Sequence, residues 1–210
     1  ADSNNVVMKP AVAYNSAENQ YLVVWSERQG ALAVEVYGRR VGAGGALIGD
    51  SFRISQVSEG VDQSYLYWAE QPDVAYNTAD NEYLVVWTGD WYALCGPGNP
   101  AICEDHEMIY GQRLAADGSA VGEDDFLISQ VGGLPPDPWT RYPAVDARSP
   151  AVAYNETDNQ YLVVFEADNF FQTFDSWRPD IHGQLLDADG SEIGPDDFRV
   201  SHKLEGQAQL

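Results

Sequence analysis

An all-β protein built from three copies of one four-stranded unit is what the sequence predicts, and three observations predict it. A first phrase recurs: Pro10-Ala-Val-Ala-Tyr-Asn15 with Asn19-Gln-Tyr-Leu-Val-Val-Trp25, then Pro72 to Asn77 with Asn81 to Trp87, then Pro150 to Asn155 with Asn159 to Phe165. Over this block the second and third copies each match the first at 12 of 16 positions, at spacings of 62 and 78 residues. A second phrase follows each first one. Val36-Tyr-Gly-Arg-Arg-Val41 leads to Phe52-Arg-Ile-Ser55, Ile109-Tyr-Gly-Gln-Arg-Leu114 to Phe126-Leu-Ile-Ser129, and Ile181-His-Gly-Gln-Leu-Leu186 to Phe198-Arg-Val-Ser201. Long-period self-similarity of this kind marks a repeat architecture. Finally, no segment keeps a helical period over two turns, whereas the phrases are short, β-branched and aromatic with turn residues between them.

Each unit therefore reads as four strands in sequence. Strand A is Pro-x-Val-Ala-Tyr-Asn, strand B Tyr-Leu-Val-Val-Trp, strand C Ile-Tyr-Gly-Gln-Arg-Leu and strand D Phe-x-Ile-Ser. The A–B connection, as in Asn155-Glu-Thr-Asp-Asn159, is a short polar turn, with Asn15, Asn77 and Asn155 as its formers because an Asn side chain bonds nearby backbone. The C–D connection, as in Asp187-Ala-Asp-Gly-Ser191, carries the Asp-Gly signal of a hairpin. Small residues after a leading proline suit strand A to the crowded innermost position of a β-propeller blade, and the aromatics of strands A and B suit the space between blades.

The expected organisation is a single domain over residues 1–210, with blades at about 8–56, 70–130 and 148–202. The pattern resembles the repeat arrays of secreted bacterial β-propeller proteins, on the Pro-x-Val-Ala-Tyr-Asn and Tyr-Leu-Val-Val-Trp blocks, over about three quarters of the chain. The resemblance implies a propeller fold and an extracellular location, and no particular reaction. Propellers close with four to eight blades. Three blades therefore lead to the expectation of half a six-bladed ring, completed by a second copy as a homodimer or by blades from elsewhere. A stacked array that is not a propeller is the remaining alternative.

Composition narrows the function classes. A net charge of −22 opposes binding to nucleic acid and adsorption to anionic membranes. No apolar run reaches the roughly 20 residues that span a bilayer. Cys95 and Cys103 bracket a Gly/Pro-rich loop and are expected to form a local disulfide, which favours an oxidising compartment.

Every long insertion falls on the B–C and D–A connections, at one face of the array. Tyr65, Trp68, Trp91, Tyr92, Trp139, Phe171 and Trp177 lie in these connections, outside the repeat pattern, and form the expected recognition surface for a glycan or a protein partner. Calcium is the expected metal, if any: Asp187, Asp189, Asp196 and Asp197 are the candidate oxygen ligands, although the spacing does not fit an EF-hand loop. Two functions follow. The favoured one is a non-catalytic extracellular binding or assembly module. The second is a secreted carbohydrate-active enzyme of the glycoside hydrolase kind, using paired carboxylates on the same face. Its candidates are Glu27, Asp90, Glu166 and Asp168, which follow strand B, with Glu104, Asp105 and His106 nearby.

Overall fold

The structure, a computed structural model, describes residues 6–29, 33–57, 65–93, 105–131, 146–168 and 179–201. Twelve strands account for nearly all of them: β1 (Val7–Asn15), β2 (Gln20–Gln29), β3 (Ala33–Gly42), β4 (Leu47–Arg53), β5 (Tyr65–Asn77), β6 (Glu82–Ala93), β7 (Asp105–Ala115), β8 (Ala120–Leu127), β9 (Asp146–Asn155), β10 (Gln160–Asp168), β11 (Asp180–Asp187) and β12 (Glu192–Arg199). Among the described residues there is no helix, and hence none long and apolar enough to cross a membrane.

Neighbouring strands pair antiparallel in chain order within β1–β4, β5–β8 and β9–β12. The first two sets are not separate sheets. A short parallel pairing, Ala33 with Tyr67 and Val34 with Trp68, joins β3 to β5 and makes one eight-stranded sheet. The third set is a four-stranded sheet of its own.

Turn chemistry sets the register. Asn15 Oδ1 accepts from Glu18 N, Asn77 Oδ1 from Ala79 N and Asp80 N, and Asn155 Oδ1 from Thr157 N, all within 3.0 Å. Asn19, Asn81 and Asn159 close the same turns at φ of 50°, 57° and 54°, a region that Asn tolerates better than most residues. Across each turn a tyrosine pair stacks at a tilt: Tyr14 with Tyr21, Tyr76 with Tyr83, and Tyr154 with Tyr161, at centroid distances of 5.0–5.3 Å.

Two expectations about strand limits are corrected. The first strand of each unit does not start at its proline, because β1, β5 and β9 all begin upstream of it. A bulge immediately before Pro10, Pro72 and Pro150 absorbs the missing N–H, which is where a strand can carry proline. The fourth strand is not Phe-x-Ile-Ser but starts at the hairpin and ends before Ile54, Ile128 and Val200. Those residues still donate their N–H to Val36, Ile109 and Ile181.

The core lies between the units. Strand alternation sends Tyr83, Val85 and Trp87 to one face of β6 and Leu84 and Val86 to the other. The first face meets Ala13, Leu22, Val24, Val36 and Ile54 of the first unit. The second meets Tyr161, Val163, Phe165 and Leu186 of the third. The same position therefore plays the same part at both joints. Tyr83 and Tyr161 are both fully buried, and their rings stabilise the joints by leaving water. Tyr161→Ala is expected to cost about 3–5 kcal/mol, the range for a large aromatic removed from a core. Denaturant unfolding monitored by circular dichroism measures it, and a loss below about 1 kcal/mol would mean that the second joint is not packed as described.

Candidate functional site

The first strands β1, β5 and β9 run beside one another, and their bulges fall in the same register. Lys9, Gln71 and Ser149 occupy φ of 53°, 54° and 56°. Backbone of this kind in non-glycine residues costs of order 1 kcal/mol or more and gathers at functional positions. The three bulges bring Lys9-Pro10-Ala11, Gln71-Pro72-Asp73 and Ser149-Pro150-Ala151 together as the wall of one open hollow of about 410 Å³.

Cross-strand hydrogen bonds brace this wall. Val152 N donates to Asp73 Oδ2 at 2.8 Å, Ser149 N to Thr88 Oγ1 at 3.1 Å, and Ser149 Oγ to Gln71 Oε1 at 3.0 Å. Asp73 is the one carboxylate among the described residues lining the hollow. The sequence reading passed over it, although it breaks the repeat visibly: the equivalent positions are Ala11 and Ala151.

The carboxylates expected after strand B lie at one end of the second strands. Glu27 stands opposite Val7 and Glu35 and accepts a hydrogen bond from Trp25 Nε1 at 3.1 Å. Asp90 stands opposite Trp68 and Glu107, Glu166 opposite Arg148 and Ile181, and Asp168 opposite Asp146. Arg148 pairs with Glu107 and so ties β9 to β7 at this end.

The expected recognition residues divide in two. Tyr65, Trp68, Trp91 and Tyr92 are not loop residues: β5 and β6 extend to include them, with Tyr67 opposite Trp91 and Trp68 opposite Asp90. Trp68 is half-buried. Trp139, Phe171 and Trp177 lie outside the described residues, as do Cys95, Cys103 and Glu104. Asp105 and His106 belong to β7, opposite Tyr92 and Trp91.

The acids proposed for calcium are engaged in the structure of the turns. Asp187 Oδ1 accepts from Ala188 N, and Asp189 Oδ1 from both Ser191 N and Ser191 Oγ. The two serine bonds hold the Asp189 carboxyl below the usual carboxylate range, as those of Ser119 do for Asp117. No group of three or more His, Cys, Asp or Glu is placed to hold a metal ion among the described residues.

Asp197 has a different role, which it shares with Asp125. Each sits on a bulge, at φ of 41° and 47°. Each accepts an N–H from the chain leaving the preceding unit: Asp125 from Gln56 at 2.7 Å and Asp197 from Gln130. Their own N–H groups bond the buried Gln112 and Gln184 side chains. Burial raises the Asp125 carboxyl to about 6 and the Asp197 carboxyl to about 7. In the unfolded chain both would ionise near 3.9. The stability they contribute is therefore fully present below about pH 4 and is lost as the pH rises through 6 and 7. Thermal unfolding is expected to fall by several degrees between pH 5 and pH 8, and an Asp125→Asn/Asp197→Asn variant to show a flatter profile. A double variant as pH-sensitive as the parent would remove these two groups from the explanation.

No family model matches the chain, and no curated protein matches it either. Solved structures do. An α-L-arabinofuranosidase from Lactobacillus brevis superposes with a TM-score of 0.54 at 11% identity, over 94% of this chain and 58% of that one. A family 117 glycoside hydrolase of the marine bacterium Zobellia galactanivorans gives 0.53 at 10% identity, over 96% and 59%. A thermostable family-43 glycoside hydrolase gives 0.52 at 13% identity, over 91% and 59%. These are five-bladed β-propellers, and the chain spans about three-fifths of their length. The chain thus has part of a β-propeller fold.

The likenesses overturn the favoured expectation of a non-catalytic binding or assembly module. The frame from which it was read is, in each of these structures, the frame of a glycoside hydrolase, and the carbohydrate-active alternative is the one they support. The first strands converge on one hollow, and Asp73 is where its described wall departs from the repeat.

Proposed function

We propose that the chain supplies three blades, at about 8–56, 70–130 and 148–202, of a secreted carbohydrate-active β-propeller enzyme of the glycoside hydrolase type. The observation that carries this reading is the axial hollow, walled by the three first strands at their bulges and holding Asp73. The likeness in fold to glycoside hydrolases supports it.

Glycosidic cleavage uses two carboxyl groups on either side of the scissile bond, about 5–5.5 Å apart for retention or about 6.5–9.5 Å for inversion. Asp73 is the first of the pair. The second comes from the carboxylates at the same end of the second strands: Glu27, Asp90, Glu166 or Asp168. One acts as the acid that protonates the departing oxygen, and the other as base or nucleophile. Tyr65, Trp68, Trp91 and Tyr92, with Trp139, Phe171 and Trp177 from the insertions, supply flat rings of the kind on which sugars rest.

Release of nitrophenol from aryl arabinofuranosides, galactosides and xylosides, with reducing-sugar release from plant and algal polysaccharides, tests the reading. At least one substrate is expected to turn over. Asp73→Asn, which keeps the acceptor for Val152 N, is expected to lower kcat by about 100-fold or more with an unchanged circular dichroism spectrum. No turnover across the panel, or full activity in the variant, would overturn it.

A further inference from the structure

The hollow at the bulges carries hydrogen-bond donors as well as the acceptor Asp73. Its wall is made three times over from a residue in the left-handed region, then proline, then a third residue. The prolines are constant, as Pro10, Pro72 and Pro150. The residue before each proline belongs to no repeated phrase and differs every time: Lys9, Gln71 and Ser149. None of these is the Asn or Asp that most readily takes a positive φ, whereas the A–B turns of the same chain do place Asn there. Turn chemistry therefore does not select the side chain at this position. A bulge also re-aims the side chain that it carries, and Lys9 lies within one, between the pairs Met8 with Ser26 and Ala11 with Val24.

Two of the three residues are donors on the neighbouring strands β1 and β5. Lys9 is the one cation among the described residues of the wall, an ammonium group with three N–H donors on a flexible stem. Gln71 has its Oε1 engaged by Ser149 Oγ at 3.0 Å, which leaves the N–H groups of its amide to donate. Asp73 follows two residues later on β5, and its Oδ2 is tied to β9 by Val152 N at 2.8 Å. The wall thus runs from an ammonium on β1, through an amide on β5, to a carboxylate bonded to β9. An ammonium with an amide is a donor set for a group that only accepts, and charge-assisted hydrogen bonds of this kind are about twice as strong as neutral ones.

We infer that Lys9 and Gln71 form a subsite for an anionic group on the sugar, a carboxylate or a sulfate ester, within the carbohydrate-active site proposed above and resting on that reading. Lys9 is then a specificity-determining residue, which selects acidic sugars over their neutral counterparts and takes no part in bond cleavage. The charge of the chain makes this dependence sharp. Cations are scarce, with eleven Lys and Arg against 33 Asp and Glu, and a surface of net charge −22 repels anions. An anionic group held in the hollow owes its attraction to Lys9.

Ligand-observed nuclear magnetic resonance titrations of the 210-residue chain test it, with the methyl glycosides of galacturonic acid, glucuronic acid, galactose 6-sulfate, galactose and glucose as probes. At least one acidic glycoside is expected to bind about tenfold more tightly than its neutral counterpart, the gain from a hydrogen bond between charged groups. Whether the uronates or the sulfate shows that gain identifies the anion. Lys9→Met is expected to abolish the preference, and Lys9→Arg, which keeps the charge, to retain it. Equal binding of acidic and neutral glycosides by the parent would overturn the inference and leave the carbohydrate reading standing. So would a preference that survives in Lys9→Met, or a Lys9→Met variant that weakens all five probes alike, as a merely structural lysine would. Binding of none of the five would overturn both readings.

Discussion

The face-to-face burial of one four-stranded unit against the next is the interaction on which the rest of this structure depends. A sheet of this size has two apolar faces and cannot hide either from water by itself. The repeated B strand Tyr-Leu-Val-Val-Trp answers this with alternation. Its two rings and the first valine go to the face that enters the preceding unit, and its leucine and second valine to the face that receives the following one. Both apolar clusters are consequently shared between units, and the middle unit is the best buried because it has a neighbour on each side. The polar joints extend the same logic. Asn side chains clasp the next turn, and Asp125 and Asp197 accept the N–H of the strand that has just left the preceding unit.

The candidate site is a by-product of that stacking. Units that meet through their faces set their first strands side by side, and the proline in each strand forces a bulge at the same level. Three strained residues and three prolines thereby line one hollow. The repeat supplies the wall, and one described residue of that wall breaks the repeat. Asp73 in place of alanine is that break within the described wall, and it also braces the neighbouring strand through Val152.

Much of the architecture was legible in the sequence because it is written locally. Asn at the A–B turn, Asp-Gly at the C–D turn and the alternation of Tyr-Leu-Val-Val-Trp each follow from a few adjacent residues. What was missed depends on contacts between units. Asp197 read as a calcium oxygen because acids in turns are common, and its role appears only with Gln130 of the preceding unit beside it. Tyr65, Trp68, Trp91 and Tyr92 read as loop because they fall outside the repeated phrase, yet β5 and β6 extend together and pair through them. Tyr21 carries the same local pattern as Tyr83 and Tyr161 but not the same burial, since burial is conferred by a neighbouring unit.

The most direct test of shared inter-unit burial is equilibrium unfolding in guanidinium chloride, followed at once by tryptophan fluorescence and far-ultraviolet circular dichroism. Units that own no core of their own must unfold together, so the two signals should trace a single coincident transition. Two or more separated transitions would show that the units are stable alone, and that the joints between them are not what holds the fold.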